Sequence, residues 1–257
     1  MGGVAAAVLV LAACSTPPSY SSLPASPASP ASPASPASPV AAATSRAPSP
    51  APSLSPSAVP TYPAAGGGRF AFAATPGPVA GAAGRLLTYR VGVETDISGI
   101  SVDDFAAEAA AVYADPRGWT ATGQWRLRRA GAGERYDFTL FLATPATRDQ
   151  LCDSSYDRYT SCRNGNSVVI NVARWVRGVP DYGGDLASYR QYVVNHETGH
   201  RLGRGHELCP GPGRPAPVMQ QQTLGMHGCV PNPWPIVDGR PYAGRSGQYD
   251  DPTPKDA

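Results

Sequence analysis

The sequence predicts an α+β fold with a small mixed sheet, and three observations carry that prediction. Between Leu86 and Ala173, alternating stretches and helical periodicities follow one another in the order β-α-β-β-α-β. A single long helix is expected next, from Asp185 to about Leu202. Beyond Gly203, the run Pro210-Gly211-Pro212-Gly213 and then Pro215 and Pro217 leave little room for regular structure.

Taken in order, Leu86 to Glu94 (LLTYRVGVE) alternates as a strand. Ser101 then caps a helix whose first turn holds Asp103 and Asp104, acids that favour the positive end of the helix dipole. Phe105, Ala109 and Val112 form its core face, and Asp115-Pro116 stops it. Two more strands, Trp125 to Arg129 and Tyr136 to Ala143, precede a short helix from Thr144-Pro145 to Leu151. After Asn164-Gly165, the run Ser167 to Ala173 (SVVINVA) reads as a strand. The long helix is capped by Asp185 and presents Leu186, Tyr189 and Val193 on one side.

The part before this domain is of another kind. Val4 to Ala13 is an apolar run of ten residues, too short to span a bilayer. It ends in Leu11-Ala12-Ala13-Cys14, which resembles the lipobox of a bacterial lipoprotein signal, so residues 1–14 are read as a signal segment with Cys14 as the lipidation site. A plain secretory signal cleaved nearby is the alternative, and no Lys or Arg precedes Val4. Residues 15–68 contain 14 of the 29 prolines and one charge, Arg46. Such a segment buries too little apolar surface to offset its chain entropy, and Pro24 to Pro39 is a strict Pro-Ala-Ser repeat. It is expected to be a disordered, polyproline-II-like tether reaching roughly 150 Å when extended.

Residues 69–257 form one domain of 189 residues with 20 basic against 19 acidic side chains. That balance gives no support to a nucleic-acid partner. With Cys14 set aside, Cys152, Cys162, Cys209 and Cys229 remain, an even number in an exported chain, which suggests two disulfides. Three pairings exist, and proximity favours Cys152–Cys162 and Cys209–Cys229. Zinc ligation by these thiols is the rival, without a C-x-x-C pair to support it.

Three of the four histidines fall in His196-Glu197-Thr198-Gly199-His200-Arg201-Leu202-Gly203-Arg204-Gly205-His206. One helical turn separates His196 from His200, so both imidazoles can reach one ion. Gly203 can take the left-handed conformation that ends a helix, and the turn can then deliver His206 as a third ligand. Glu197 can contact the fourth coordination position, where water would sit. Three neutral nitrogens and an open site describe a catalytic rather than a structural zinc.

This string, H-E-x-x-H-x-x-G-x-x-H, resembles the signature of the metzincin clan of zinc metallopeptidases. The resemblance implies a mixed sheet above the metal, an active-site helix carrying the first two histidines, and a methionine turn beneath. That turn would be Pro217-Val218-Met219-Gln220, with Met219 as an apolar floor; Met226 fits less well. The chain is also similar to an uncharacterised family of exported bacterial proteins over most of Leu86 to Pro235. That similarity includes Asp115-Pro116-Arg117-Gly118-Trp119, Pro217 to Thr223 and Pro231 to Pro235. Two departures matter. Glu207 follows the third histidine as in astacins, without the rest of that pattern, and Gln221 stands where some metzincins place a tyrosine.

The expected activity is that of a secreted or surface-anchored zinc metalloendopeptidase, with Zn2+ held by His196, His200 and His206 and Glu197 as general base. Its partners would be peptide or protein substrates and, through the lipid alone, a membrane; the chain would act as a monomer. Strand Ser167 to Ala173 is the expected binding surface: an extended peptide could pair with it if it is an edge strand above the cleft. Gln220, Gln221, His227 and nearby tyrosines are candidates for stabilising the transition state. The rival functions are a non-catalytic binding module that keeps zinc for stability, and a hydrolase of cell-wall peptides.

Overall fold

The computed structural model describes residues 59–255. The signal segment 1–14 with Cys14, and residues 15–58 of the expected tether, lie outside the described residues. In chain order the elements are β1 (Phe70–Phe72), β2 (Val79–Ala80), β3 (Arg85–Glu94), α1 (Val102–Ala114), β4 (Trp125–Arg129), β5 (Phe138–Ala143), α2 (Pro145–Leu151), β6 (Cys162–Asn164), β7 (Ser167–Asn171), α3 (Val172–Arg177), α4 (Leu186–Arg201), β8 (Ile236–Val237) and β9 (Arg240–Pro241).

Seven strands form one mixed sheet in the order β2-β4-β3-β5-β7-β6, with β1 alongside the end of β3. Strands β3, β4, β5 and β7 run parallel, and β1, β2 and β6 are antiparallel to their neighbours. The fold is therefore α+β with a mixed sheet. Period-two alternation separates its two faces. Leu87, Tyr89 and Val91 of β3, Leu140 and Leu142 of β5, and Val168 and Ile170 of β7 join the main core with Phe105, Ala109 and Tyr113 of α1 and Tyr189 and Val193 of α4. Phe141, Ala143 and Val169 face the other way, into a smaller cluster with Phe70 and Leu151. Each fully buried aliphatic side chain contributes about 1.5–3 kcal/mol, and this core holds α4 rigidly across the sheet.

Helix ends follow the sequence closely. Ser101 accepts from the Asp104 amide at 3.0 Å, and Asp185 accepts from the Ser188 amide at 2.7 Å. The disulfides are Cys152–Cys162, which ties the end of α2 to β6, and Cys209–Cys229 in the irregular C-terminal part.

Three expectations need correction. The run Ser167 to Ala173 is not one strand: the Asn171 side chain accepts from the Ala173 amide at 3.0 Å and starts α3, so the apolar residues that follow are helical. Nor is it an edge. β7 lies between β5 and β6 with Val168, Val169 and Ile170 fully buried, as suits an interior parallel strand, and β6 is the edge. Finally, the domain begins before Arg69. Thr61 pairs with Ser98 through backbone bonds of 3.0 and 2.8 Å. The Gly68 amide reaches the buried Glu94 carboxylate at 2.9 Å, and Gly66 meets Thr144 Oγ1 at 2.9 Å. Glu94 also accepts from the Thr144 amide and from Thr147 Oγ1, so its buried oxygens are satisfied by ordering the chain segment that composition assigns to the tether.

Candidate metal centre

Helix α4 carries His196 and His200 on one side and ends in a pair of backbone bonds. The Arg204 amide reaches the Gly199 carbonyl at 2.9 Å and the Gly203 amide reaches the His200 carbonyl at 3.1 Å, with Gly203 at φ 87°. This is a Schellman ending, which requires a left-handed residue at Gly203 and reverses the chain. The reversal brings His206 back to the helix. His200 Nε2 lies 3.2 Å from His196 Nε2 and 3.1 Å from His206 Nε2, and the three histidines form a group that could hold a metal ion.

The donor atoms fit such an ion. Nitrogens about 2.0–2.1 Å from a tetrahedral cation stand about 3.3 Å apart. His196 Nδ1 meets the Val218 carbonyl and His200 Nδ1 meets the Arg204 carbonyl, both at 2.9 Å. A carbonyl can only accept, so both Nδ1 atoms carry the proton and both Nε2 atoms present lone pairs to the same point. Lone pairs converging at this range repel one another unless a cation lies between them. His206 Nδ1 lies 3.0 Å from Gln248 Oε1. Burial and the neighbouring imidazoles hold His196 well below its ordinary value, and burial brings His200 down to about 4. Both are neutral in the free protein near pH 7, as ligands must be.

Beneath the helix, Met219 packs against Gly199. A Cβ at that position would stand 2.4 Å from Met219 Sδ and 2.9 Å from Trp119 Cζ2, so the glycine lets both side chains close on the helix. Trp119 Nε1 donates to the Asn195 carbonyl at 2.8 Å, and the Thr198 and Tyr113 hydroxyls bond at 2.8 Å. The turn Pro217–Gln220 thus touches the helix through Met219 and holds His196 through the Val218 carbonyl. Met226 has another place, where its carbonyl accepts from Gln220 Nε2 at 3.0 Å.

The histidines open onto a cleft of about 370 Å³. Glu197 lines the same cleft, with Thr160 to Arg163 from the approach to β6 and from β6 itself, and with Tyr192, Gln221, Thr223 and Leu224. Burial pushes the Glu197 carboxyl up to about 8, against the pull of Arg148 and Arg163. Arg163 donates to the His200 carbonyl at 3.1 Å, joining the strand rim to the helix end. Among the candidate polar groups, Gln221 belongs to the cleft wall. Gln220 does not: its amide is spent on the Gly225 and Met226 carbonyls. His227 is also elsewhere, with Nε2 2.7 Å from Asp251 and its ring stacked on Tyr249. Arg163 was missed by sequence reading, and Tyr192 was not singled out among the nearby tyrosines. Tyr192 is one turn before His196 on the same helix, a spacing that could have identified it.

Among protein families, one described as proteins of unknown function (DUF3152) matches residues 56–235. The chain belongs to the DUF3152 family. No curated protein and no solved structure matches it. The DUF3152 match contains all three histidines, Glu197, Met219 and both disulfides, and it ends before Gln248. In this DUF3152 member the two disulfides indicate an oxidising, extracytoplasmic setting. No helix among the described residues is long and apolar enough to cross a membrane.

Proposed function

We propose that the protein is a zinc-dependent, metzincin-like peptidase working outside the cytoplasm. One observation carries the reading: three imidazole Nε2 atoms converge in a cleft that the Glu197 carboxyl also lines. An all-imidazole set of three with no fourth protein ligand among the described residues suits zinc in a catalytic role. When bound, the ion would supply Lewis-acid polarisation of a peptide carbonyl and acidification of water.

The chain's own residues do the rest. Glu197, beside a ligand on α4 and kept ionised by the charge of a bound cation, would take a proton from water in the cleft and return it to the departing amine. β6 is one edge of the sheet and its Cys162 and Arg163 line the cleft, so an extended substrate could pair along it. The Arg163 bond to the His200 carbonyl would keep that edge in register with the histidines. Gln221, which lines the same cleft, is a polar group that could meet a polarised carbonyl.

Glu197→Gln tests the reading. The variant should keep about one zinc per chain and cleave unfolded protein roughly 10²–10⁴-fold more slowly than the parent. Equal cleavage by the two proteins refutes the assignment. A parent protein that binds zinc but hydrolyses neither peptides nor purified cell wall would be a binding module instead.

A further inference from the structure

The third ligand is held differently from the other two. His196 and His200 each give Nδ1 to a backbone carbonyl of fixed polarity. His206 has a side-chain amide, Gln248 Oε1, at 3.0 Å, 42 residues on and past the end of the family match. The approach is built into the backbone. Around the ligand, Gly247 donates to the His206 carbonyl at 3.0 Å and Leu208 donates to the Arg245 carbonyl at 2.9 Å. Gly244 donates to Glu207 Oε2 at 3.0 Å, and a Cβ on Gly244 would stand 2.4 Å from the Leu208 carbonyl. Farther along, Tyr249 stacks on His227 at 3.4 Å and Asp251 meets the same ring. Residues 244–251 are therefore a strap laid against His206–Leu208, with Gln248 fixed over the ligand.

We infer that Gln248 is a positioning residue of the metal centre: its carbonyl oxygen accepts a hydrogen bond from His206 Nδ1–H and so keeps the Nε2 lone pair free for the ion. The inference rests on the metal-centre reading. An imidazole protonated on Nε2 would aim a hydrogen at His200 Nε2, 3.1 Å away, and could not ligate. Without an acceptor at Nδ1, His206 would divide between the two tautomers and each binding event would have to select one. The strap is thus part of the centre, although it lies outside the matched family region.

The test uses the full chain, stripped of metal, with Gln248→Leu and Gln248→Glu. Zinc affinity is read by competition with a chromophoric chelator, and the His206 tautomer by long-range nitrogen–proton correlation. Gln248→Leu should bind zinc about 10–100-fold more weakly and show a mixed His206 tautomer, with the metal-free melting curve unchanged. Gln248→Glu, an obligate acceptor, should stay within about threefold of the parent. Parent-like affinity and tautomer in Gln248→Leu overturn the inference, as does equal weakening in both variants, which would make the effect one of strap packing. A folded parent that binds zinc no better than His200→Ala would instead remove the metal centre itself.

Discussion

The sheet half of the domain and its C-terminal half solve the same problem by different means. From Arg85 to Asn171, backbone groups are paired in ladders and apolar side chains alternate into two cores. From Gly203 onward, the regular structure among the described residues consists of two strands of two residues each. There, buried amides replace the ladders. Asn232 donates to the Ala216 and Trp234 carbonyls at 2.8 and 3.0 Å and accepts from the Trp234 amide. Gln222 bridges the Pro217 and Asn232 carbonyls and accepts from the Asn232 amide. Prolines that cannot donate are tolerated because side chains satisfy the carbonyls around them. The first half sets the rigid helix with two of the histidines; the second carries the turn that holds His196 and the strap that meets His206.

The contrast can be broken by substitutions matched across the two halves. Leu140→Ala, in the middle of the sheet, should cost about 2–5 kcal/mol in denaturant unfolding. Zinc affinity of the folded fraction should stay within about threefold, because nothing from β5 touches a ligand. Asn232→Leu keeps the volume but strands the Ala216 and Trp234 carbonyls, at about 1–3 kcal/mol each. Here zinc affinity should also fall, by about tenfold, because the Pro217–Gln220 turn presents the Val218 carbonyl to His196. A loss of stability without a loss of affinity would show that the amide network does not position the centre. Gly199→Ala sharpens the boundary between the halves. The gain in helix propensity, about 1 kcal/mol, opposes overpacking against Met219 and Trp119, and a net loss of about 1–2 kcal/mol is expected. A more stable Gly199→Ala variant would contradict the close packing at this position.

The same contrast explains what could be read from the chain. The histidine constellation was legible because its geometry is local: one helical turn and one glycine-ended reversal place all three rings. Caps at Ser101 and Asp185 were legible for the same reason, and sequence proximity was enough for both disulfides. Strand order was not. An apolar run such as Val168-Val169-Ile170 suits an interior strand as well as an edge strand, and only its pairing with both β5 and β6 decides. Val172 and Ala173 continue that run in composition, while a single side-chain bond from Asn171 makes them the first turn of a helix. Gln248 was invisible because it is exposed, lies in a segment without periodicity, and reaches its histidine across 42 residues. Residues 61–68 were misplaced because composition reports the lack of apolar groups and is silent about one buried carboxylate, Glu94, that recruits their amides.

The smallest expected effect concerns the loop that forms the cleft's strand-side wall, between the two residues of the Cys152–Cys162 disulfide. Against that loop, Arg148 of α2 is buried between Asp149 at 2.9 Å and Asp157 at 2.7 Å. Burial pushes the Asp157 carboxyl up, but bonds from Thr160 and the Arg148 charge outweigh it, and the group is held below its ordinary value. A carboxyl lowered by folding favours the folded state above its unfolded value, about 3.9, and loses that contribution as pH falls through the folded value. Asp157→Asn should therefore lower stability at pH 7 by about 1 kcal/mol, since the Asp157 side chain meets Arg148 while keeping 17% of its surface in solvent. That difference should shrink to nothing as unfolding is followed down toward pH 2. A gap between parent and variant that is the same at both ends of this range would mean that Asp157 acts through its hydrogen-bond geometry alone, and that its charge does not help hold the cleft wall.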